Sequence, residues 1–246
     1  MKVSKAQIKL VRSLQQKKFR DELGLFVAEG DKCVEELQKA FELVSLYRAG
    51  ENAGEAEIEQ MSGMRTPQGT IGVFRQRTED ADVPLENLML ALDGIQNPGN
   101  LGTIIRTCDW FGVHDIFCSA DTADCYNPKV VQATMGALSR VRLHYVDLPA
   151  WLEALSRQKA DARIYGTLLE GKNMYEVLSD PTGLSTSNAN GLSIIVMGNE
   201  GNGISPEVRT LVTHPIRIPS YPEDADTSES LNVSIATAIV LAELRR

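Results

Sequence analysis

The sequence predicts an α/β protein with a C-terminal, mostly parallel sheet and a smaller α/β domain in front of it. Three observations carry this. From Leu88 onward, short apolar runs alternate with helical patterns, the rhythm of a sheet covered on both faces by helices. Those runs, such as "LMLALD" and "LSIIVM", are near-continuous in apolar residues rather than alternating, as strands buried on both sides read. Ahead of them stands "RQRTEDADVPLENL", Arg75 to Leu88, polar and charged with one proline, which reads as a linker. The domains are therefore expected at 1–80 and 81–246.

In the first domain, helical patterns are expected over about 4–19 and 31–41, and strands in "FELVSLYRAG" and "TIGVFRQ". The first twenty residues hold Lys2, Lys5, Lys9, Arg12, Lys17, Lys18 and Arg20 and no acid. At about 100° per residue, Lys5, Lys9 and Arg12 share one helix face, with Ile8, Val11 and Leu14 roughly opposite. Two readings are open: a solvated face, or a surface for nucleic-acid phosphates, which bind lysine and arginine whatever the sequence.

After the linker, "LMLALD" leads to a helix around Leu101–Phe111, and "DIFC" to one around Pro128–Ser139. "RLHYV" precedes "WLEALSRQ", and "RIYGTLL" follows. "LSDPTGLSTSNANG", Leu178 to Gly191, is rich in Ser, Asn and Gly and reads as a surface loop. "LSIIVM" leads to a helix after Ser205, and "IRIP" to a terminal helix, Ser230–Arg246. That last helix is apolar almost all round, so it should be covered on most sides by a core or a partner.

Composition excludes several classes. No apolar run approaches 18 residues, so no membrane span is expected, and the N-terminus lacks the apolar centre of a signal peptide. The four cysteines form no CxxC pair and the three histidines are scattered, so no metal site is expected. Reduced thiols and a cytoplasmic protein are the plain expectation. A net charge of −8 argues mildly against nucleic acid, and the basic N-terminus argues the other way.

Three segments carry chemistry. In "LDGIQNPGNLGTIIRTCDWFG" a strand ends at Asp93, and Asn100 is a fair helix cap. Arg106 then stands in a helix otherwise apolar or small. It is either a surface arginine paired with Asp109 or a guanidinium aimed at a crevice beyond the strand ends, where it could fork onto a phosphate. In "LSIIVMGNEGNGIS" a strand meets a glycine-rich loop, Gly198–Gly203. Such loops often cradle phosphates, but Glu200 within it would repel an anion. No GxGxxG follows the first strand, as an ordinary dinucleotide-binding protein would have. In "IRIPSYPEDADTSESLNVSIATA" Ser230 is expected to cap the terminal helix, with Asn232 in its first turn.

Together these segments resemble the three signature motifs of the SpoU (TrmH-like) RNA 2′-O-ribose methyltransferases, of the SPOUT class. The resemblance covers about residues 88–246. It rests on Asn100-x-Gly102 with Arg106, on Gly198-x-Glu200-Gly201-x-Gly203, and on Ile218-Pro219 with Ser230-Leu231-Asn232-Val233-Ser234. "LFVAEGDKCVEELQKA" and "TPQGTIGVF" look like that family's L7Ae/L30e-like substrate-binding domain.

The resemblance implies a deep trefoil knot holding S-adenosylmethionine, with cofactor contacts at Gly198, Ile218 and Leu231. It implies catalytic roles for Arg106, Asn100, Glu200, Ser230 and Asn232, and a homodimer through the C-terminal domain. Ribosomal or transfer RNA would be the substrate, with Lys5, Lys9, Arg12, Lys17, Lys18 and Arg20 as its contacts. S-adenosylmethionine carries no phosphate, so Glu200 ceases to be an objection. Arg106, as a guanidinium that keeps its proton in neutral water, is a poor base. It is better suited to hold an RNA phosphate and stabilise a developing alkoxide. Glu223, Asp224, Asp226 and Glu229 crowd the loop before Ser230, an awkward place for acids beside RNA. The competing expectation is an RNA-binding paralogue of the same fold without catalysis.

Overall fold

The computed structural model describes residues 3–78, 85–179, 191–222 and 230–246. The acids Glu223, Asp224, Asp226 and Glu229 lie outside the described residues, as does most of the tract Leu178–Gly191. The chain divides into two compact units. One comprises Met1–Asp80 with Leu101–Arg106 and Asp124–Arg140; the other comprises Ala81–Asn100, Thr107–Ala123 and Val141–Arg246.

In the first unit, α1 (Lys5–Ser13) and α2 (Lys17–Leu23) replace the single helix expected over 4–19. The chain breaks at Gln15–Gln16, because Leu14 is drawn fully into the core and the Arg20 guanidinium takes its carbonyl at 2.9 Å. Ser4 and Gln7 close a reciprocal capping box on α1. β1 (Leu25–Glu29), β2 (Leu43–Arg48) and β3 (Thr70–Arg75) form an antiparallel sheet in the order β1-β3-β2. The strand β1 had no counterpart among the expected strands, since its five residues are all buried and show no alternation. The helices α3 (Asp31–Leu37) and α4 (Glu55–Met61) complete this part. Val11, Leu14, Val27, Ile58, Met61, Ile71 and Val73 form its core.

The same unit contains α6 (Pro128–Thr134), which contacts β1. The helix expected to reach Ser139 stops early. Met135 takes a left-handed conformation (φ 52°) and Gly136 follows at φ 90°, which turns the chain into a short 3-10 turn, Ala137–Ser139. Tyr126 packs on Phe26 with ring centroids 4.8 Å apart.

The second unit is built on six strands: β4 (Leu88–Asp93), β5 (Asp115–Cys118), β6 (Arg142–Tyr145), β7 (Arg163–Asn173), β8 (Ser193–Gly198) and β9 (His214–Arg217). Their order is β6-β5-β4-β8-β7-β9 and every pairing is parallel. The expected "mostly parallel" sheet is thus wholly parallel among the described residues. Helices α5 (Pro98–Trp110), α7 (Leu148–Gln158), α8 (Met174–Ser179), α9 (Pro206–Arg209) and α10 (Val233–Leu244) connect or follow these strands. Residues 101–106 of α5 group with the first unit. One face of the sheet is filled by Met89, Ala91, Phe117, Leu152, Ile164, Ile194 and Val196.

Two cap assignments change. Asn97, not Asn100, caps α5: its Oδ1 accepts from Gly99 N at 2.8 Å and Asn100 N at 3.2 Å, with Pro98 at the first helical position. Asn232, not Ser230, caps α10, which therefore starts three residues later than expected. In both places an asparagine supplies the acceptor that the helix end needs.

Candidate functional site

Parallel strands deliver their carboxyl ends to one edge of the sheet, and loops beyond that edge are where α/β sheets bind ligands. β4 and β8 are neighbours in register, with Asp93 opposite Gly198. The loops after these two strands therefore start side by side. Buried Asp93 accepts a hydrogen bond from Ser205 N at 2.7 Å, which ties the far end of the glycine loop back to β4.

The loop Gly198–Gly203 closes on itself. Asn199 and Gly203 exchange backbone hydrogen bonds of 2.9 and 2.8 Å. The Asn199 side chain donates to Gly94 O at 2.6 Å and accepts from Gly201 N at 2.9 Å and Asn202 N at 3.1 Å. A Cβ on Gly198 would stand 2.6 Å from the carbonyl oxygen of Gly203 and overlap the atoms beside it. Only glycine fits there, and Gly203 itself sits at φ 69°.

Glu200 projects from this loop into a cluster of amides. Asn100 Nδ2 and Asn232 Nδ2 both donate to Glu200 Oε1, the second at 3.3 Å, and Asn232 Nδ2 also reaches Asn100 Oδ1 at 3.1 Å. Asn232 Oδ1 meanwhile accepts from Ser234 N at 3.0 Å and Ser234 Oγ at 2.6 Å. Three residues separated by 100 and 32 positions thus converge from α5, the glycine loop and the start of α10.

The other predicted residues stand differently. Arg106 is exposed on α5, six residues beyond Asn100 and so about 120° round the helix from it. It makes no ion pair with Asp109 and no hydrogen bond among the described residues. Ser230 is exposed and likewise makes no hydrogen bond among the described residues. Ile218 is half-buried just past β9, and Leu231 is 48% exposed beside Asn232. Of the basic N-terminal residues, Lys5, Lys9 and Arg12 are exposed. Lys17 pairs with Asp21 at 2.9 Å. Lys18 is exposed. Arg20 has to be withdrawn as an RNA contact: it is 2% exposed and pairs with Asp124 at 2.6 Å. An arginine on the inner side of a short helix is pulled in when a carboxylate from distant sequence meets it, which a run of charges cannot reveal.

Sequence reasoning missed Asn97, Asn199 and Asp93. The Asn-Pro pairs at 97–98 and 127–128 signalled both caps, since proline is favoured at the first helical position. Nothing local signals Asn199 as the brace of its loop.

The loop set suits an adenosyl group. Gly198–Gly203 contains no lysine or arginine, and Glu200 is the only charge in it. Ile218 and Leu231 offer apolar surface, and the glycines allow backbone to approach a base or sugar closely. A polyphosphate would find no cation there.

No group of three or more potential metal ligands occurs among the described residues, and no described helix is long and apolar enough to cross a membrane.

A wholly parallel sheet, a self-braced glycine loop and an Asn–Glu–Asn cluster beyond its strands make this an α/β protein with a ligand site at the carboxyl ends of its strands. The family model "SpoU rRNA Methylase family" matches residues 87–242, and the chain belongs to that family. A second model, "MRM3-like substrate binding domain", matches residues 5–62. Among curated relatives, the 23S rRNA (guanosine(2553)-2′-O)-methyltransferase RlmP of Bacillus subtilis is 26% identical over 258 residues, covering 97% of this chain and 96% of its own. A TrmH-family protein from Porphyromonas gingivalis is 37% identical with a TM-score of 0.85, covering 99% of this chain and 98% of that one. An AdoMet-bound rRNA methyltransferase from Sinorhizobium meliloti is 30% identical with a TM-score of 0.82, covering 100% and 97%.

Proposed function

We propose that this protein is an S-adenosylmethionine-dependent RNA methyltransferase that modifies a ribose 2′-hydroxyl, with ribosomal RNA as its substrate. The observation that carries the reading is the Asn100–Glu200–Asn232 cluster at the carboxyl ends of β4 and β8, in a chain of the SpoU family.

The cofactor, when bound, supplies a methyl group on a positively charged sulfur. Gly198, Ile218 and Leu231 hold the adenosyl part through backbone and apolar contacts. Arg106 grips an RNA phosphate next to the target ribose and stabilises the alkoxide that develops as the hydroxyl gives up its proton to phosphate or water. Glu200, as acceptor for two amides, locks the start of α10 and the first turn of α5 to the glycine loop. These contacts would fix the walls of the site around cofactor and ribose, where alignment would supply much of the acceleration. Ser230, exposed beside this cluster, contacts the incoming RNA.

The finer architecture follows the same reading. The domain over 81–246 carries a trefoil knot, which the position of β8 between β4 and β7 supports, as does the close approach of Gly171 to the Ile216 backbone. The domain over 1–80 is an L7Ae/L30e-like RNA-binding domain. Its antiparallel sheet and helices, the match of residues 5–62 and the exposed Lys5, Lys9 and Arg12 support that role. The enzyme is a homodimer through its methyltransferase domain. Trp110 on α5 at 85% exposure, Ile235 on α10 at 52% and Leu231 just before α10 are exposed apolar side chains that a second copy covers. It works in the cytoplasm, where its four free cysteines stay reduced.

The test is methyl transfer from labelled S-adenosylmethionine to an unmodified 23S rRNA transcript, with the product mapped by primer extension at low nucleotide concentration. The expected result is one new 2′-O-methylated ribose. A methylated base, or binding of RNA without transfer, would overturn the assignment, the latter in favour of a non-catalytic paralogue.

A further inference from the structure

Several cations of the first unit are neutralised by acids, while Lys5, Lys9, Arg12 and Lys18 on its first two helices stay exposed. Arg20 pairs with Asp124, Lys39 and Arg140 with Glu36, and Arg75 with Glu42. Two cations on the helices α5 and α6 are not. Arg106 and Lys129 are both exposed, and neither side chain has a hydrogen bond or ion pair among the described residues.

Their placement is specific. The two helices touch at Gly102, where an added Cβ would lie 2.9 Å from Val130 O and overlap the Ala133 side chain. Residues four apart on a helix share one face. Arg106 is four residues beyond Gly102 on α5, and Lys129 is four residues before Ala133 on α6. Each cation therefore lies on its helix's contact stripe, about 6 Å along the axis from the crossing. The base of Lys129 is rigid: Asn127 Oδ1 accepts from its backbone N at 2.9 Å, Pro128 precedes it, and Val130 and Val131 are buried. Two like charges on the contact stripes of a tight helix crossing form a site for an anion with more than one acceptor group.

We propose that Lys129 is a positioning residue for RNA, binding the backbone phosphate next to the one held by Arg106. This rests on the reading of Arg106 as a phosphate ligand. Arg106, with a planar fork, fixes the reacting nucleotide; Lys129, a flexible point charge, fixes the register of the strand beside it. Gly102 sets the spacing between them.

The experiment uses the full chain and the unmodified 23S rRNA transcript. Lys129→Gln should raise the RNA KM about tenfold at 0.1 M salt while kcat stays within about twofold. It should also lower the slope of log K against log salt by about 0.7–0.9, the share of one phosphate contact. Lys129→Arg should restore both. S-adenosylmethionine affinity by calorimetry and the melting temperature should match the wild type. An unchanged KM and salt slope in Lys129→Gln would overturn the proposal, and so would a loss of cofactor binding equal to the loss of RNA binding. A wild type that binds the transcript without methylating it would count against the function reading alone, because the salt slope still tests Lys129.

Discussion

On the proposed reading Arg106 and Gly198 divide the chemistry, and their substitutions should separate it. Arg106→Ala is expected to lower methyl transfer about a hundredfold to a thousandfold, roughly 3–4 kcal/mol at the barrier, by analogy with loss of an oxyanion donor. S-adenosylmethionine affinity should stay nearly intact, and Arg106→Lys should rescue poorly. Gly198→Val should do the reverse, because its side chain would collide with the Gly203 backbone and open the loop. Equal loss of cofactor binding in the two variants, measured by calorimetry, would refute this division. Arg20 makes the contrasting case of a charge spent on structure. Its guanidinium is 2% exposed and bonded to Asp124 and to Leu14 O. Arg20→Met should cost on the order of 3 kcal/mol in denaturant unfolding, since it leaves the largely covered Asp124 carboxylate without its partner. Lys5, Lys9 and Arg12, in the same run of sequence, should behave oppositely. Changing all three to Gln should flatten the salt dependence of RNA binding and leave stability within about 0.5 kcal/mol.

At the level of elements, α5 and α10 do the most. α5 brings Asn100 to the glycine loop at one end and packs on α6 through Gly102. Its C-terminal end is held by Arg245 at the end of α10, which donates to Phe111 O at 2.9 Å and Gly112 O at 3.0 Å. The sequence reading of α10 as apolar nearly all round is accurate, but only part of that surface is used within one chain: Val233, Val240, Leu241 and Leu244 are buried while Ile235 is 52% exposed. Ile235→Glu should therefore convert the proposed dimer to a monomer in light scattering at micromolar concentration, with the far-ultraviolet spectrum unchanged. A dimer that survives the change would place the interface elsewhere.

For the whole molecule, stability leans on a buried carboxylate at the start of β5. Asp115 is fully buried and accepts a two-armed contact from Arg142 at 2.8 and 2.6 Å and another from His144 Nε2 at 2.7 Å. Burial raises its pKa, but the Arg142 and His144 contacts outweigh that and hold it below the usual carboxylate value. A depressed carboxyl stabilises the fold above its unfolded pKa of about 3.9 and loses that effect as pH falls through the folded value. Asp115→Asn should cost on the order of 3 kcal/mol at pH 7, and its deficit against the wild type should shrink as pH drops below about 4. A pH-independent deficit in chemical denaturation would show that packing, not charge, is lost. What the sequence determined by itself was periodic and local. The strands from Leu88 to Arg217, their alternation with helices and the glycine loop all follow from apolar runs and turn residues that neighbours in sequence can specify. The motif residues Asn100, Glu200 and Asn232 were legible too, though not their mutual contact. Only the tertiary structure decided which charges face water and which are consumed inside, as Arg20 against Lys9 shows. It alone decided that Glu200 is an acceptor for two amides, 100 and 32 residues away in the chain, and that Arg20 meets Asp124, 104 residues away. The caps Asn97 and Asn232 bond neighbours two or three residues on and lay within reach of local signals, but no local propensity encodes a distance across the fold.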